Sequence, residues 1–337
     1  MIETSDMRTN RRIVLARRPD GDVTAEDFRL EELPLQPLLE GQLRVRNLYL
    51  SLDPYMRGRM DDAKSYAKPV QIGEVMGGGT VAEVVESNHP DFAIGERVQG
   101  AFGWQLFAES DGSGVQKLPS SRIPVTAWLG VVGMPGVTAW YGLNRILEPA
   151  AGQTLCVSAA SGAVGSVVGQ LAKAAGCRVV GIAGGEPKCR LVREEYGFDA
   201  CVDYKAGRLE EDLKAATPGG VDMLFENVGG SIMDAVLARM NQSGRVAVCG
   251  LIAGYNGKDI ALQRVRSILV NRLKIQGFIV SDHLDLWPQA LQELAARVAD
   301  GSLKYRETIA DGLEKAPEAF IGLLSGANVG KQLVKLG

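Results

Sequence analysis

The pattern of hydrophobic and polar positions changes near residue 126. Before about residue 119, short alternating or apolar runs are broken by Gly, Pro, Asp and Asn. The runs lie at residues 12–17, 42–51, 79–86, 96–102 and 115–118. Such a pattern is typical of a small, mostly antiparallel β domain. Beyond residue 126, apolar runs alternate with helical patterns, as in the β-α units of a parallel sheet.

The second part of the chain contains six candidate strands at intervals of roughly 20–30 residues, the spacing of β-α units. They lie at residues 153–158, 178–183, 200–203, 221–226, 244–250 and 273–280. This spacing predicts an α/β fold with a doubly wound, six-stranded parallel sheet of the Rossmann type.

The end of the chain has a different pattern. After residue 284, helical patterns cover residues 285–299 and 315–324, and the tail at 331–336 reads as a strand that returns to the first domain. We therefore expect a β domain of residues 1–128 completed by 303–337, and a Rossmann domain of residues 129–302.

A glycine-rich corner follows the first strand of the Rossmann part. The segment Cys156–Gly165 leads from an apolar strand into an amphipathic helix, and it reads Ala160-x-Gly162-x-x-Gly165. Such a corner lets the backbone approach a pyrophosphate, which then meets the N–H groups and positive end of the helix. Alone, the motif also fits a plain tight turn. The predicted binding residues are Ala160, Ser161, Gly162, Ala163, Val164 and Gly165.

The end of the second strand bears on the choice of coenzyme. An NAD site carries Asp or Glu there, whereas this strand ends in Ala183-Gly184-Gly185, with Lys188 on the next helix. The missing acid and the added lysine predict NADPH, although Lys188 alone is also compatible with an ordinary solvated lysine. Tyr204, after the third strand, covers the adenosine ribose of the coenzyme or merely caps the sheet.

Two further segments follow strands at their carboxyl ends, which is the edge of the sheet where ligands bind. Asn227 follows the fourth strand, and Gly250 and Leu251 follow the fifth. We predict that they line the nicotinamide half of the coenzyme site. For Asn227 a simple turn role is the alternative.

Composition and charge exclude several classes of function. The 337 residues carry a net charge of −3, which gives no reason to expect nucleic acid or an anionic membrane as the partner. No apolar stretch approaches the ~20 residues of a membrane span. The polar residues 1–12 predict a loose leader without a secretory signal.

The cysteine and histidine content indicates whether the protein binds a metal ion and in which cellular compartment it works. Five scattered cysteines without a C-x-x-C pair predict free thiols in a cytoplasmic protein, and with only two histidines no zinc ligand cluster is expected.

Several motifs in order resemble the zinc-free medium-chain dehydrogenase/reductases. The resemblance is to the branch of prostaglandin/leukotriene reductases, alkenal double-bond reductases and bacterial NADPH-dependent curcumin-reductase-like oxidoreductases. It extends over nearly the whole chain from about residue 12 and rests on the motifs at 51–57 (SLDPYMR), 159–165 (AASGAVG), 226–230 (ENVGG), 277–280 (GFIV) and 328–331 (NVGK).

The resemblance implies a GroES-like β domain on a Rossmann domain, with NADPH in the cleft between them. Lys188 and Tyr204 would hold the 2′-phosphate. Further implied coenzyme contacts are Asn227, Gly250, Leu251, Tyr255, Phe278, Val280 and Asn328. The implied substrate contacts are Tyr55, Arg57, Tyr66 and Tyr255. By the same resemblance, a homodimer is expected through the last Rossmann strand, here about residues 273–280.

The implied reaction reduces the carbon–carbon double bond of an α,β-unsaturated ketone or aldehyde. Hydride goes to the β-carbon, negative charge collects on the carbonyl oxygen, and the resulting enolate is protonated by Tyr255, Tyr55 or water. Two alternatives stay open: an NADPH-dependent quinone reductase, which shares the glycine corner, and a non-catalytic NADPH-binding protein. The Asp53–Arg57 segment favours the enone branch over the quinone reductases.

Overall fold

A computed structural model describes residues 9–337 of the chain. The chain divides into two compact units. One, the β unit, comprises the residues up to Leu129 together with Glu307–Gly337, and the other, the α/β unit, is Gly130–Arg306. The expected leader lies outside the described residues up to residue 8. From Thr9 onward the chain is already in its first strand, three residues before the predicted start.

The strands and helices of the described residues are numbered here in chain order. The strands are β1 Thr9–Leu15, β2 Phe28–Pro34, β3 Leu43–Ser51, β4 Thr80–Ser87, β5 Arg97–Gly100, β6 Phe107–Ser110, β7 Gln116–Lys117, β8 Thr154–Ser158, β9 Arg178–Ala183, β10 Ala200–Asp203, β11 Val221–Glu226, β12 Met240–Val248, β13 Lys274–Gly277, β14 Glu307–Asp311 and β15 Lys331–Lys335. The α-helices are α1 Met56–Arg59, α2 Met134–Tyr141, α3 Gly165–Ala174, α4 Glu186–Glu194, α5 Leu209–Ala216, α6 Gly230–Leu237, α7 Arg266–Val270, α8 Trp287–Ala299 and α9 Ala316–Leu324. Shorter helical turns include Tyr204–Ala206, Ile252–Gly254 and Val280–Leu286. No helix of residues 9–337 is long and apolar enough to cross a membrane.

The β unit contains a seven-stranded sheet in the order β14-β15-β3-β4-β5-β7, with β6 also beside β3. The tail strand β15 runs antiparallel to β3, with Leu333 opposite Ser51, so the predicted return of the tail is confirmed. β14, which the sequence pattern did not predict, lies parallel to β15.

The core of the β unit is aromatic at its centre. Phe28 stacks on Trp104 at 5.4 Å between ring centroids, and Phe320 of α9 meets the Trp104 ring edge-on at 5.7 Å. All three side chains are at most 8% exposed. Because α9 belongs to the C-terminal segment, this cluster joins both ends of the chain in one core.

The α/β unit contains the predicted parallel six-stranded sheet, in the order β10-β9-β8-β11-β12-β13. The order reverses between β8 and β11, and in such sheets ligands bind beyond the carboxyl ends of the strands at this reversal. The strands β12 and β13 differ most from their predicted bounds. β12 begins at Met240, before a bulge opposite Val221–Met223, and β13 ends at Gly277, so Phe278 and Val280 lie beyond it.

Candidate active site

The glycine corner connects β8 to α3 without room for larger residues. Ala159 adopts a left-handed backbone conformation with φ 49°, which is costly for a residue other than glycine. A Cβ on Gly165 would lie 2.5 Å from the carbonyl oxygen of Ala159, so only glycine allows α3 to start this close to the strand end. At the start of α3 the N–H groups of Ser166 and Val167 donate to the carbonyl oxygens of Gly162 and Val164, both at 3.1 Å. The positive end of the helix dipole lies at this corner, which suits it to a pyrophosphate.

A buried carboxyl group ties the ends of β8 and β11 together. Glu226 is fully buried, and its Oε1 accepts hydrogen bonds from the Ser158 hydroxyl at 2.8 Å and from the backbone N–H groups of Val228 and Gly229. Its Oε2 has no partner among the described residues. Burial raises the pKa of Glu226, while the hydrogen bonds to its Oε1 act in the opposite direction.

Asn227, predicted to lie near the nicotinamide, takes part in the same network. Its backbone N–H donates to Ser158 Oγ and its side-chain amide donates to the Ser158 carbonyl oxygen, both at 2.8 Å. The backbone of the β12 exit also attaches here, because Cys249 N–H donates to the Glu226 carbonyl at 2.8 Å. Three neighbouring strand ends are therefore held in one hydrogen-bonded arrangement.

The end of β9 is surrounded by basic and aromatic side chains. A Cβ on Gly184 would lie 2.9 Å from the Tyr204 hydroxyl oxygen and 3.0 Å from Cε of Lys205, so both side chains lie against this glycine. Lys188, at the start of α4, is half-buried, and burial together with the charge of Lys205 lowers its pKa. Two lysines therefore share the region where sequence reasoning had found one.

The sequence pattern did not indicate that Lys205 and Asp203 belong to this region. Lys205 Nζ lies 5.9 Å from the centre of the Tyr204 ring, and the only signal in the sequence was its position next to Tyr204. Asp203 ends β10, beside Ala183, and its Oδ1 accepts from the backbone N–H groups of Gly185 and Lys205 at 2.8 and 2.9 Å. The carboxylate thus fixes the backbone around Gly184.

Tyr255 follows the short turn Ile252–Gly254 at the β12 exit. Its hydroxyl oxygen accepts a long hydrogen bond from the N–H of Leu251 at 3.5 Å, and a Cβ on Gly250 would lie 3.3 Å from it. The half-buried phenol therefore lies at the strand ends that also carry Asn227, whose carbonyl oxygen would be 3.5 Å from that same Cβ.

The side chains of Phe278 and Val280 mainly pack against other residues of the α/β unit. The Phe278 ring lies 6.2 Å from that of Phe225 and 5.4 Å from that of Tyr141, and its N–H points to the Val248 carbonyl at 3.4 Å. Val280 is buried, and its carbonyl accepts from the Trp287 indole at 3.2 Å. A coenzyme contact at these positions stays a prediction.

In the β unit, Tyr55 lies at the start of α1. Its side chain is largely buried, the guanidinium of Arg59 lies 5.1 Å from the ring centre, and Tyr66 and Asp53 are close enough to influence it. Burial, reinforced by the negative charge of Asp53, raises the pKa of the Tyr55 hydroxyl. Tyr66 is 60% exposed.

Arg57 has contacts that differ from those of an open substrate-binding residue. Its side chain is 3% exposed, donates to Asp61 at 2.7 Å and donates to the Gly21 carbonyl at 3.1 Å. These bonds fix the segment that carries Tyr55. Asn328 lies in the turn before β15, where its side-chain amide donates to the Gly330 carbonyl at 2.7 Å.

Among residues 9–337, no group of three or more His, Cys, Asp and Glu side chains is arranged to hold a metal ion. The five cysteines, all within the described residues, form no disulfide.

Comparisons with known proteins identify the family. A family model described as the N-terminal domain of oxidoreductase matches residues 11–118, and one described as zinc-binding dehydrogenase matches residues 163–296. The chain is 48% identical to the NADPH-dependent curcumin reductase of Escherichia coli (strain K12), over 97% of each chain. It is 39% identical to the NADP(+)-dependent 2-alkenal reductase of Nicotiana tabacum, also over 97% of each. The chain belongs to the medium-chain dehydrogenase/reductases, in the branch of the curcumin, 2-alkenal and prostaglandin reductases.

Solved structures agree with this membership. The structure of CurA from Vibrio vulnificus in complex with NADPH is 47% identical, with a TM-score of 0.93 over 97% of this chain and 99% of that one. The quinone oxidoreductase of Escherichia coli complexed with NADPH has a TM-score of 0.77 at 20% identity, over 96% of this chain and 99% of that one. At that level of identity the likeness shows the fold alone. The recognition of family and fold from the motifs is confirmed.

Proposed function

We propose that the protein reduces the carbon–carbon double bond of α,β-unsaturated aldehydes and ketones with NADPH. The names of the relatives that are 39–48% identical over nearly the whole chain support the reaction class. The observation that carries the choice of coenzyme is the cluster of Lys188, Lys205 and Tyr204 around a glycine at the end of β9.

The cluster fits the 2′-phosphate of NADPH on electrostatic grounds. Lys188 and Lys205 repel each other, which contributes to the lowered pKa of Lys188. A phosphate dianion between them would relieve this repulsion and accept charge-assisted hydrogen bonds. The nearby carboxylate of Asp203 is bonded to the backbone N–H groups of Gly185 and Lys205, so it is already engaged in holding the turn.

The coenzyme contacts that we propose comprise the glycine corner, the phosphate cluster and the strand ends. They are Ala160, Ser161, Gly162, Ala163, Val164, Gly165, Gly184, Lys188, Tyr204, Lys205, Asn227, Gly250, Leu251, Tyr255, Phe278, Val280 and Asn328. The corner fits a pyrophosphate, since Gly165 lets the start of α3 approach the strand end closely. When bound, the reduced nicotinamide supplies hydride to the β-carbon of the substrate.

The protein's own part in the chemistry is to stabilise negative charge on the carbonyl oxygen and to deliver a proton to the α-carbon. We assign these roles to the tyrosines Tyr255 and Tyr55, with Tyr66 as a further substrate-side residue. Arg57 acts on the substrate side through the Tyr55 segment, which its hydrogen bonds fix. A phenol held neutral by burial, as for Tyr55, keeps its proton at alkaline pH and can donate a hydrogen bond there. Tyr255 lies at the β11 and β12 ends beside the proposed nicotinamide contacts.

One set of assays tests this proposal against its alternatives. Oxidation of NADPH is followed with a simple enone, a 2-alkenal and a quinone, and then with NADH in place of NADPH. We expect turnover of the enone and the alkenal with NADPH. Turnover of quinones only would establish a quinone reductase, and tight NADPH binding without turnover of any acceptor would establish a non-catalytic binding protein.

Two further properties belong to the proposal. We propose a homodimer joined through β13, because this strand ends the six-stranded sheet and Leu269 on the neighbouring α7 is 80% exposed. Light scattering should then give about twice the chain mass of 36.0 kDa. We also propose a cytoplasmic location, supported by five cysteines without a disulfide. Fractionation of cells with an antibody to the protein tests the location.

A further inference from the structure

A buried ion pair lies at the junction of β3 and β15. Lys331 Nζ donates to Asp53 Oδ1 at 2.9 Å, and the two residues are 4% and 6% exposed. Asp53 follows the end of β3 and Lys331 begins β15, and these two strands are antiparallel neighbours. The pair therefore joins a loop of the N-terminal segment to the C-terminal tail.

The hydrogen bonds of this pair are complete. Lys331 Nζ also donates to the carbonyl oxygens of Leu52 and Gln332, and the second carboxylate oxygen of Asp53 accepts from the Ser51 hydroxyl. Burial lowers the pKa of Lys331, while the charges of Asp53 and of nearby Glu307 oppose that shift. All three ammonium donors and both carboxylate oxygens thus have a partner.

The pair lies between two segments of the proposed site. The carbonyl of Asp53 accepts from Met56 N–H at 3.1 Å, which closes the turn containing Tyr55. On the other side, Lys331 directly follows Gly330, whose carbonyl accepts the side-chain amide of Asn328. Any shift of the pair would therefore move both the Tyr55 turn and the Asn328 turn.

Energetics argue that such a pair acts on geometry more than on stability. Replacing a buried ion pair by well-packed apolar groups of similar volume is often neutral or stabilising, whereas removing one member leaves a buried charge and destabilises strongly. We propose that Lys331 and Asp53 are positioning residues of the reductase, holding the Tyr55 turn and the Asn328 turn in their working geometry. This inference rests on the proposed function.

The decisive variant changes both members: Asp53→Asn together with Lys331→Met. Because neither charge of the pair is left without its partner, we expect the double variant to fold. Its kcat for an enone should be reduced by about 10-fold or more, as small misplacements of reacting groups cause. The NADPH Kd should change less than kcat does, because the pair holds only Asn328 among the proposed coenzyme contacts, whereas the proposed phosphate and pyrophosphate contacts lie in the other unit. Lys331→Met alone should be the less stable protein.

The matched control is Arg44→Met, which removes another buried cation of the same sheet. Arg44 is 7% exposed and is paired with Glu86 and Glu109. We expect this variant to lose stability and keep the kcat of its folded fraction. Hydrogen exchange by mass spectrometry adds a readout independent of activity: amides of residues 51–60 and 327–332 should exchange faster in the double variant than in Arg44→Met.

The outcomes separate the two proposals. A double variant with wild-type kcat and wild-type exchange in both segments overturns the positioning role. Failure of the double variant to fold also overturns it, because the pair would then serve stability. If the wild type reduces no enone, the proposed function fails, and the exchange comparison still decides whether the pair holds the two turns.

Discussion

The phenol of Tyr204 lies over Gly184, with its hydroxyl oxygen 2.9 Å from the position that a Cβ on Gly184 would occupy. A side chain at position 184 would displace the tyrosine ring. The stem of Lys205 is equally close, at 3.0 Å. The glycine at the end of β9 therefore does more than omit the acidic residue of an NAD site, since it also makes room for an aromatic and a basic side chain.

The two lysines near Gly184 should contribute unequally to coenzyme affinity. Half-buried Lys188 can make a charge-assisted contact worth ~1.5–3 kcal/mol, so Lys188→Ala should weaken NADPH about 10- to 150-fold. Lys205 is exposed, and an exposed pair contributes ~0.2–1 kcal/mol, so Lys205→Ala should weaken it by about 1.5- to 5-fold. Titration by calorimetry measures both, and NADH binding should hardly change.

The control for the lysine variants is Lys214→Ala, on α5 of the same unit. It alters the net charge equally and should leave the NADPH Kd unchanged. Equal affinity of the wild type for NADPH and NADH would contradict the assignment of the phosphate site. A Lys205→Ala effect larger than that of Lys188→Ala would reverse the proposed roles.

The sequence predicts the parallel sheet well because its strands are apolar runs separated by glycine-rich turns and helical patterns. β14 was missed since Glu307–Asp311 mixes polar and apolar positions and is half-exposed at the sheet edge. α2 gave no periodic signal because nearly all of Met134–Tyr141 is buried. Both elements depend on their neighbours in the fold more than on their own pattern.

For the site, the sequence located strand ends but not the bonds between them. Glu226 was recognised only as part of a motif, and nothing in its type or spacing indicates that one of its oxygens gathers three donors. Lys331 belongs to another motif, and a lysine is rarely expected to be buried. Ser158 and Asp53, the partners that fix these two side chains to other strands, are 68 and 278 residues away in the chain. Pairing over such separations is a property of the folded sheet.

The carboxyl group of Glu226 should be needed for its shape more than for its charge. Glu226→Gln keeps an oxygen for Ser158, Val228 and Gly229, so we expect stability within about 1 kcal/mol of the wild type and little change in NADPH affinity. Glu226→Ala leaves those donors buried without an acceptor and should cost about 2–4 kcal/mol. Urea unfolding of both variants makes the comparison, and a Gln variant as unstable as the Ala variant would contradict it.

The shifted pKa of Glu226 gives the stability of the protein a pH dependence of defined sign. Because burial raises the pKa of Glu226 above its ordinary 4.5, the protonated form is favoured in the folded state. This contribution is complete below pH 4.5 and is lost as the pH rises through the folded pKa. The stability of the wild type relative to Glu226→Gln should therefore fall as pH increases from about 4.5, as measured by unfolding at a series of pH values. An opposite slope would mean that the hydrogen bonds to Oε1 outweigh burial.

Catalysis should not require a metal. No side-chain group suited to hold one occurs among residues 9–337, and a zinc site needs several Cys, His or carboxylate ligands close together. Exhaustive dialysis against a chelator should therefore leave enone reduction unchanged. One zinc per chain by metal analysis, with activity lost on its removal, would contradict this prediction.

Tyr255 should contribute to the transition state through its hydroxyl. Tyr255→Phe keeps the aromatic ring and removes the hydroxyl that lies near Gly250. A lost hydrogen-bond donor at an oxyanion is worth about 10²-fold or more where it acts alone. A ribose hydroxyl of the coenzyme is a second possible donor, so we expect about a 10-fold loss or somewhat more. The loss should appear in kcat, with NADPH affinity little changed, as for an interaction made mainly in the transition state. Single-turnover oxidation of NADPH on one small enone, with Tyr55→Phe measured in parallel, decides between the tyrosines. Unchanged turnover in Tyr255→Phe would reduce Tyr255 to a wall of the pocket and leave Tyr55 or water as the proton source.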